Sequence, residues 1–181
     1  MKIRYNAPVI LTFTLISILV LLIANLTGHQ FIDRFFSAYP EIRLGSPMDY
    51  FRMVSYVAGH ANWQHLASNF SLILLIGPLV EEKYGSVRLF EMMVVTAILT
   101  ALLNAFFFST GLIGASGIAF MLILLGSFSN IRSGDIPLTF IIVAILFLGA
   151  EVVSSLQNDQ VSQFAHLAGG VMGAAYGFIR T

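Results

Sequence analysis

The 181-residue sequence predicts an all-α fold, a polytopic membrane bundle of six transmembrane helices, on three observations. Hydrophobic residues make up 57% of the chain and charged residues only 10%, and the mean hydropathy is +0.87, a composition that soluble domains rarely reach. Apolar runs approaching the ~20 residues needed to cross a bilayer recur along the chain, with polar loops between them. The last run carries glycine at every fourth position, a spacing that lets membrane helices pack closely. No internal repeat, low-complexity tract or linker interrupts the pattern, so residues 1–181 are read as a single domain.

Charge and cysteine content exclude several classes. Nine basic and nine acidic residues cancel, so no long-range field recruits nucleic acid, which is not an expected partner. The chain has no cysteine, which rules out disulfides, thiolate nucleophiles and cysteine-held metals.

The first element opens with Lys2 and Arg4 and runs through "APVILTFTLISILVLLIANLTG". This run is too long for a typical signal-peptide core and predicts a retained span over about 8–27. Residues 28–64 follow as a long loop rich in aromatics, among them Phe31, Tyr39, Tyr50 and Trp63, the only tryptophan. Such a segment suits the headgroup layer better than the hydrocarbon. Five further spans are expected at about 65–80, 89–108, 115–130, 136–153 and 163–179. The first, third and fifth spans are near full length, whereas the second, fourth and sixth look short and would need shelter from longer neighbours.

The distribution of basic residues sets the expected orientation. With a cytoplasmic N-terminus, the inner segments hold Lys2, Arg4, Lys83, Arg88, Arg132 and Arg180, and the outer face holds only Arg34, Arg43 and Arg52. Both termini then lie in the cytoplasm and the even-numbered spans start at the outer face. The polar stretch "SSLQNDQVSQ" between spans five and six lies at that face as well.

Polar side chains inside spans are costly and generally face a bundle interior or a water-filled recess. Here Ser116 begins span four, His166 begins span six, and His65 with Asn69 begins span two. All four fall at similar depth on the three helices read as short. A serine needs a general base to become a nucleophile, and histidine is the usual one. The oxyanion formed on attack needs donors, which a helix N-terminus, an amide or an imidazole supplies. Asn69, four residues after His65, lies on the same helix face one turn on.

The glycines agree with this grouping. Gly169, Gly173 and Gly177, with Gly170 beside them, form a flat ridge. If the ridge meets span four at Gly117, His166 comes within reach of Ser116. Taken singly, a membrane serine is more often packing glue than nucleophile, and glycines four apart more often mean packing alone. Only the shared depth and chemistry of the set favour catalysis.

Other polar residues keep a structural reading. Thr96, Thr100 and Asn104 form a stripe on span three suited to interhelical hydrogen bonds. His29 is interfacial, His60 supports its neighbours, and Glu151 at the outer end of span five is in a place to orient a histidine.

These residues resemble the rhomboid intramembrane serine proteases. "GASG" at 114–117 is similar to the family's Gly-x-Ser-Gly, "AHLAGGVMG" at 165–173 to Ala-His-x-x-Gly-x-x-x-Gly, and "HANWQHLASN" at 60–69 to His-x-x-x-x-His-x-x-x-Asn. The three motifs fall on spans two, four and six in family order. The resemblance covers the whole chain as the six-helix bacterial core form. It implies Ser116 as nucleophile and His166 as base, a dyad without an essential acid, and an oxyanion hole of His65, Asn69 and the Ser116 backbone N–H.

Supporting positions follow from the same resemblance: Gly114, Gly117, Gly169 and Gly173 in the motifs, Arg52 in the first outer loop, and Glu81 after span two, followed by Gly85. Phe51 stands where the family usually carries tryptophan, and Phe120 where many members carry a tyrosine packing on the base. The resemblance further implies single-span or polytopic membrane-protein substrates, passage between spans two and five, a cap at loop 154–163, residence in a bacterial inner membrane, and no metal or organic cofactor. Two rivals remain at this point. One is an inactive rhomboid-like protein that binds or escorts membrane clients. The other is a small transporter, which the absence of an inverted repeat disfavours.

Overall fold

The computed structural model describes residues 4–127, positions 138, 141, 142, 145 and 146, and residues 160–179. The described residues form seven α-helices: α1 (Pro8–Thr27), α2 (Gln30–Phe35), α3 (Pro47–Ser55), α4 (Trp63–Tyr84), α5 (Ser86–Phe107), α6 (Ser116–Ser127) and α7 (Gln160–Ile179). A single 3₁₀ turn, Tyr56–Ala58, follows α3. The five described positions of span five are helical, and the rest of that span lies outside the described residues. Two helices, α2 and α3, are additions to the six expected, and both sit in the loop read as interfacial.

The helices α1, α4 and α5 are each long and apolar enough to cross a membrane. Their boundaries have local causes. Pro8 at the first turn of α1 donates no N–H and presets the helical φ. The next two N–H groups, of Val9 and Ile10, are taken at 3.0 and 3.1 Å by the two carboxylate oxygens of Glu81. Asn62 caps α4 by accepting the His65 N–H at 2.8 Å. Gly85, at φ +81°, both ends α4 and precedes α5, so one left-handed residue reverses the chain.

Two lengths depart from the sequence reading. The second span, expected at 65–80 and short, belongs to a 22-residue helix. Pro78 and the charged run Glu81, Glu82, Lys83 dilute its hydropathy without ending it, since Pro78 lies inside the helix. The sixth, expected at 163–179, belongs to a 20-residue helix that starts in the polar stretch at Gln160. Only α6, at 12 residues, is short as described, and residues 128–130 of the expected fourth span lie outside the described residues.

The short helix is the centre of the bundle. Every residue of α6 from Gly117 to Leu125 is buried, so none of its faces is left for lipid. It packs against α4, α5 and α7. The loops are tied down at the end where α6 begins: Ala38 and Leu112 exchange both backbone hydrogen bonds, at 3.0 and 2.8 Å, and Tyr56 donates its hydroxyl to the Ala97 carbonyl at 3.3 Å. Loop 28–64 therefore dips into the bundle rather than lying flat over it.

Candidate active site

The α5–α6 connection turns sharply at Gly114, φ +106°, and its N–H is held by the Tyr56 carbonyl at 3.0 Å. Ala115 then supplies the first helical carbonyl, accepting the Ala119 N–H at 2.9 Å. Ser116 is thus the first residue of α6, half-buried among buried neighbours. A helix start leaves its first N–H groups without intrahelical acceptors and carries the positive end of the helix dipole.

The start of α4 lies directly across from this turn. A Cβ added to Gly114 would stand 2.7 Å from both Cε1 and Nε2 of His65 and 3.4 Å from Nδ2 of Asn69. Glycine is required here twice over, by φ and by space. The imidazole and the amide therefore face the backbone two residues before Ser116. The Nδ1 atom of His65 accepts the Ala61 N–H at 3.5 Å, an arrangement that puts the ring proton on Nε2, one of the two ring atoms closest to the Gly114 turn.

His60 completes the arrangement, and sequence reasoning gave it too little. Its side chain is fully buried. Nδ1 lies 3.3 Å from the Ala58 carbonyl, so it carries the proton and leaves Nε2 as acceptor. Nε2 receives the Asn69 amide at 3.2 Å and the Ala115 N–H at 3.4 Å. One imidazole thus orients the Asn69 side chain and anchors the residue preceding Ser116. Burial, and then the neighbouring His65, hold the His60 pKa well below the ordinary histidine range, in keeping with a neutral ring.

On the other flank, α7 packs on α6 through glycine. A Cβ on Gly169 would run into the Gly117 carbonyl oxygen and stand 2.7 Å from its carbon, and one on Gly173 would strike the Met121 backbone. The pairs 169 with 117 and 173 with 121 advance together, so the two helices run parallel. Position 166 lies one turn before Gly169 on α7, toward the end of the bundle where α6 begins. The His166 side chain lies outside the described residues, as do Glu151 and most of loop 154–163.

The remaining expected positions lie apart from this cluster. Arg52 donates to the Arg34 carbonyl from Nε and Nη2 at 2.9 and 2.7 Å and from Nη1 to Asp49 at 3.0 Å, pinning the loop. Glu81 caps α1 at the opposite end of the bundle. Phe120 is buried one turn along α6. On α5, Thr96 donates to the Met121 sulfur at 3.1 Å, as the stripe reading expects. Asn104 Oδ1 is a buried acceptor with no hydrogen-bond partner among the described residues. Among the described residues, no three His, Asp or Glu side chains converge as metal ligands would.

This is an integral membrane protein, helical throughout its described spans, whose buried central helix begins at a serine two residues after a glycine turn faced by a histidine and an asparagine. It belongs to the rhomboid family: the Rhomboid domain is matched over residues 47–181. The chain is also similar to the Rhomboid protease GlpG of Haemophilus influenzae, with 24% identity over 131 residues that cover 71% of this chain and 68% of that protein.

Proposed function

We propose that the protein is an active intramembrane serine endopeptidase that cleaves membrane-protein segments near the outer leaflet, using Ser116 as nucleophile and His166 as general base. The observation that carries the reading is the convergence on the Gly114 turn. The His65 ring and the Asn69 amide face it from α4, the first N–H groups of α6 follow it, and position 166 lies one turn before Gly169, which packs on Gly117.

In this reading Ser116 attacks a peptide carbonyl as His166 takes its proton. The carbonyl oxygen becomes an oxyanion held by the Ser116 N–H, His65 Nε2–H and Asn69 Nδ2–H. His166 returns the proton to the leaving amine, and water then attacks the acyl-enzyme with His166 again as base. Asn104 offers a buried acceptor oxygen suited to holding water below the surface. A suitable substrate helix is one that unwinds near its outer end, since an intact helix hides its carbonyls in hydrogen bonds. Six crossings, both termini in the cytoplasm and residence in a bacterial inner membrane complete the proposal.

The test is cleavage of a fluorescently tagged single-span substrate in proteoliposomes by wild type, Ser116→Ala and His166→Ala. Cleavage by wild type and its loss in both folded variants supports the dyad. Equal cleavage by Ser116→Ala, or none by wild type across a varied substrate panel, leaves the client-binding reading instead.

A further inference from the structure

Two backbone groups decide the state of the His60 ring. The Ala58 carbonyl, which only accepts, lies 3.3 Å from Nδ1, and the Ala115 N–H, which only donates, lies 3.4 Å from Nε2. The ring is therefore neutral, with its proton on Nδ1 and an acceptor at Nε2. Its side chain is fully buried, so bulk water does not compete for either nitrogen.

That state fixes the Asn69 amide in turn. The two ends of an amide are nearly alike in shape and opposite in hydrogen bonding. The end that stands 3.2 Å from Nε2 is the nitrogen, since Nε2 has no proton to give to an oxygen. One N–H of Nδ2 goes to His60. The other remains for the Gly114 turn, where a Cβ would stand 3.4 Å from the same nitrogen.

A second proton on His60 reverses these bonds. Nε2 then opposes the Ala115 N–H, donor against donor. The amide relieves its own conflict by a half-turn about its last side-chain bond, which sets Oδ1 against Nε2–H and leaves an acceptor where a donor stood. An ordinary histidine takes up this proton near pH ~6.5. Burial, and then the His65 ring at 5.0 Å, delay it in His60 to about 4. Among the described residues α4 presents His65 and the uncharged Phe70 ring to His60, and the two turns present only backbone; no carboxylate acts on the ring.

We propose that His60 is a proton-gated positioning residue: with one ring proton it holds an Asn69 N–H toward the Gly114 turn, and with two it turns the amide over and puts an oxygen where an oxyanion needs a donor. The amide orientation stands on the geometry alone, and its effect on catalysis rests on the protease reading above.

The full chain in bicelles, with nitrogen-15 in its histidine and asparagine side chains, is titrated by NMR from neutral pH to pH ~3. The His60 ring is expected to carry its proton on Nδ1 at neutral pH, and the Asn69 side-chain nitrogen to shift with the same midpoint as that ring. In His60→Gln, whose side chain does not titrate, that shift is expected to vanish. A proton on Nε2 at neutral pH, an Asn69 signal unmoved while His60 titrates, or a shift that persists in His60→Gln overturns the proposal. Cleavage supplies a second readout. The kcat ratio of wild type to Asn69→Ala cancels the titration of the base that both share; it is expected to halve at the His60 midpoint and to fall about tenfold one pH unit lower. A ratio constant over that range also overturns the proposal. The NMR titration needs no cleavage, so failure of the protease reading and failure of this inference are told apart.

Discussion

His60 and Ala115, 55 residues apart in the chain, meet at 3.4 Å, the backbone N–H of Ala115 donating to His60 Nε2. The same nitrogen takes the Asn69 amide, so a single buried ring sets the position of the residue before Ser116 and of an expected oxyanion donor. His60→Ala strands both donors in a buried site, at about 1–3 kcal/mol each. Steady-state kinetics on a tagged substrate are expected to show kcat lowered at least tenfold with KM little changed, because His60 acts through Asn69 and Ala115 rather than on the substrate. Asn69→Ala is expected to cost about 10²–10³ in kcat, the range for loss of one oxyanion donor.

Acid should release the site before the loop. The folded-state pKa of His60 lies below that of an unfolded histidine, so its contribution is fully present above pH ~6.5 and is lost as pH falls toward the folded value. Protonation also removes the acceptor that Nε2 provides. Asp49, held by Arg43 through hydrogen bonds at 2.9 and 3.0 Å, has its carboxyl far below the usual range. Its contribution persists until pH falls well under ~4. Between pH 7 and 5, with the intrinsic pH dependence of exchange divided out, amide protection is expected to fall at Gly114 and Ala115 while that of Arg43 and Asp49 stays constant.

The glycines of α7 are unequal. Gly169→Ala puts a methyl into the Gly117 backbone, which has no side chain to move aside, whereas Gly170→Ala meets only the Leu124 Cδ1 methyl at 3.1 Å. Thermal unfolding in micelles is expected to show the first destabilised by about 3 kcal/mol and the second by less than about 1.

Glu81 works far from the serine. Its carboxylate replaces the missing acceptors at the start of α1. Glu81→Ala is expected to lower unfolding free energy by about 2–3 kcal/mol, and Glu81→Gln, which keeps one acceptor oxygen, by about half as much. Denaturant titration of both variants measures this.

Much of this arrangement was legible in the sequence for physical reasons. Helix α1 carries no charged residue and α5 none after Glu91, so length alone marks them. The spacing of His65 and Asn69 needs only helical geometry, and the glycine period of α7 announces a close neighbour. The true length of α4 was hidden because its last turns carry charge, and Glu81 is there to serve another helix. That His60 supports its neighbours was legible, but not which ones: the Ala58 carbonyl, Asn69 and Ala115 meet it only through the inward dip of loop 28–64. Helices α2 and α3 were missed for the same reason, since their short apolar faces acquire partners only after the spans have assembled.

The glycine contact between α6 and α7 bears on the life history of the molecule. The flank of α6 at Gly117 and Met121 is covered by backbone from a helix that leaves the ribosome later. During synthesis, the hydroxyl of Ser116 exists for an interval in which one side of its helix is bare and position 166 has yet to arrive. The flank of α6 beside the Ser116 turn is therefore closed only when α7 docks.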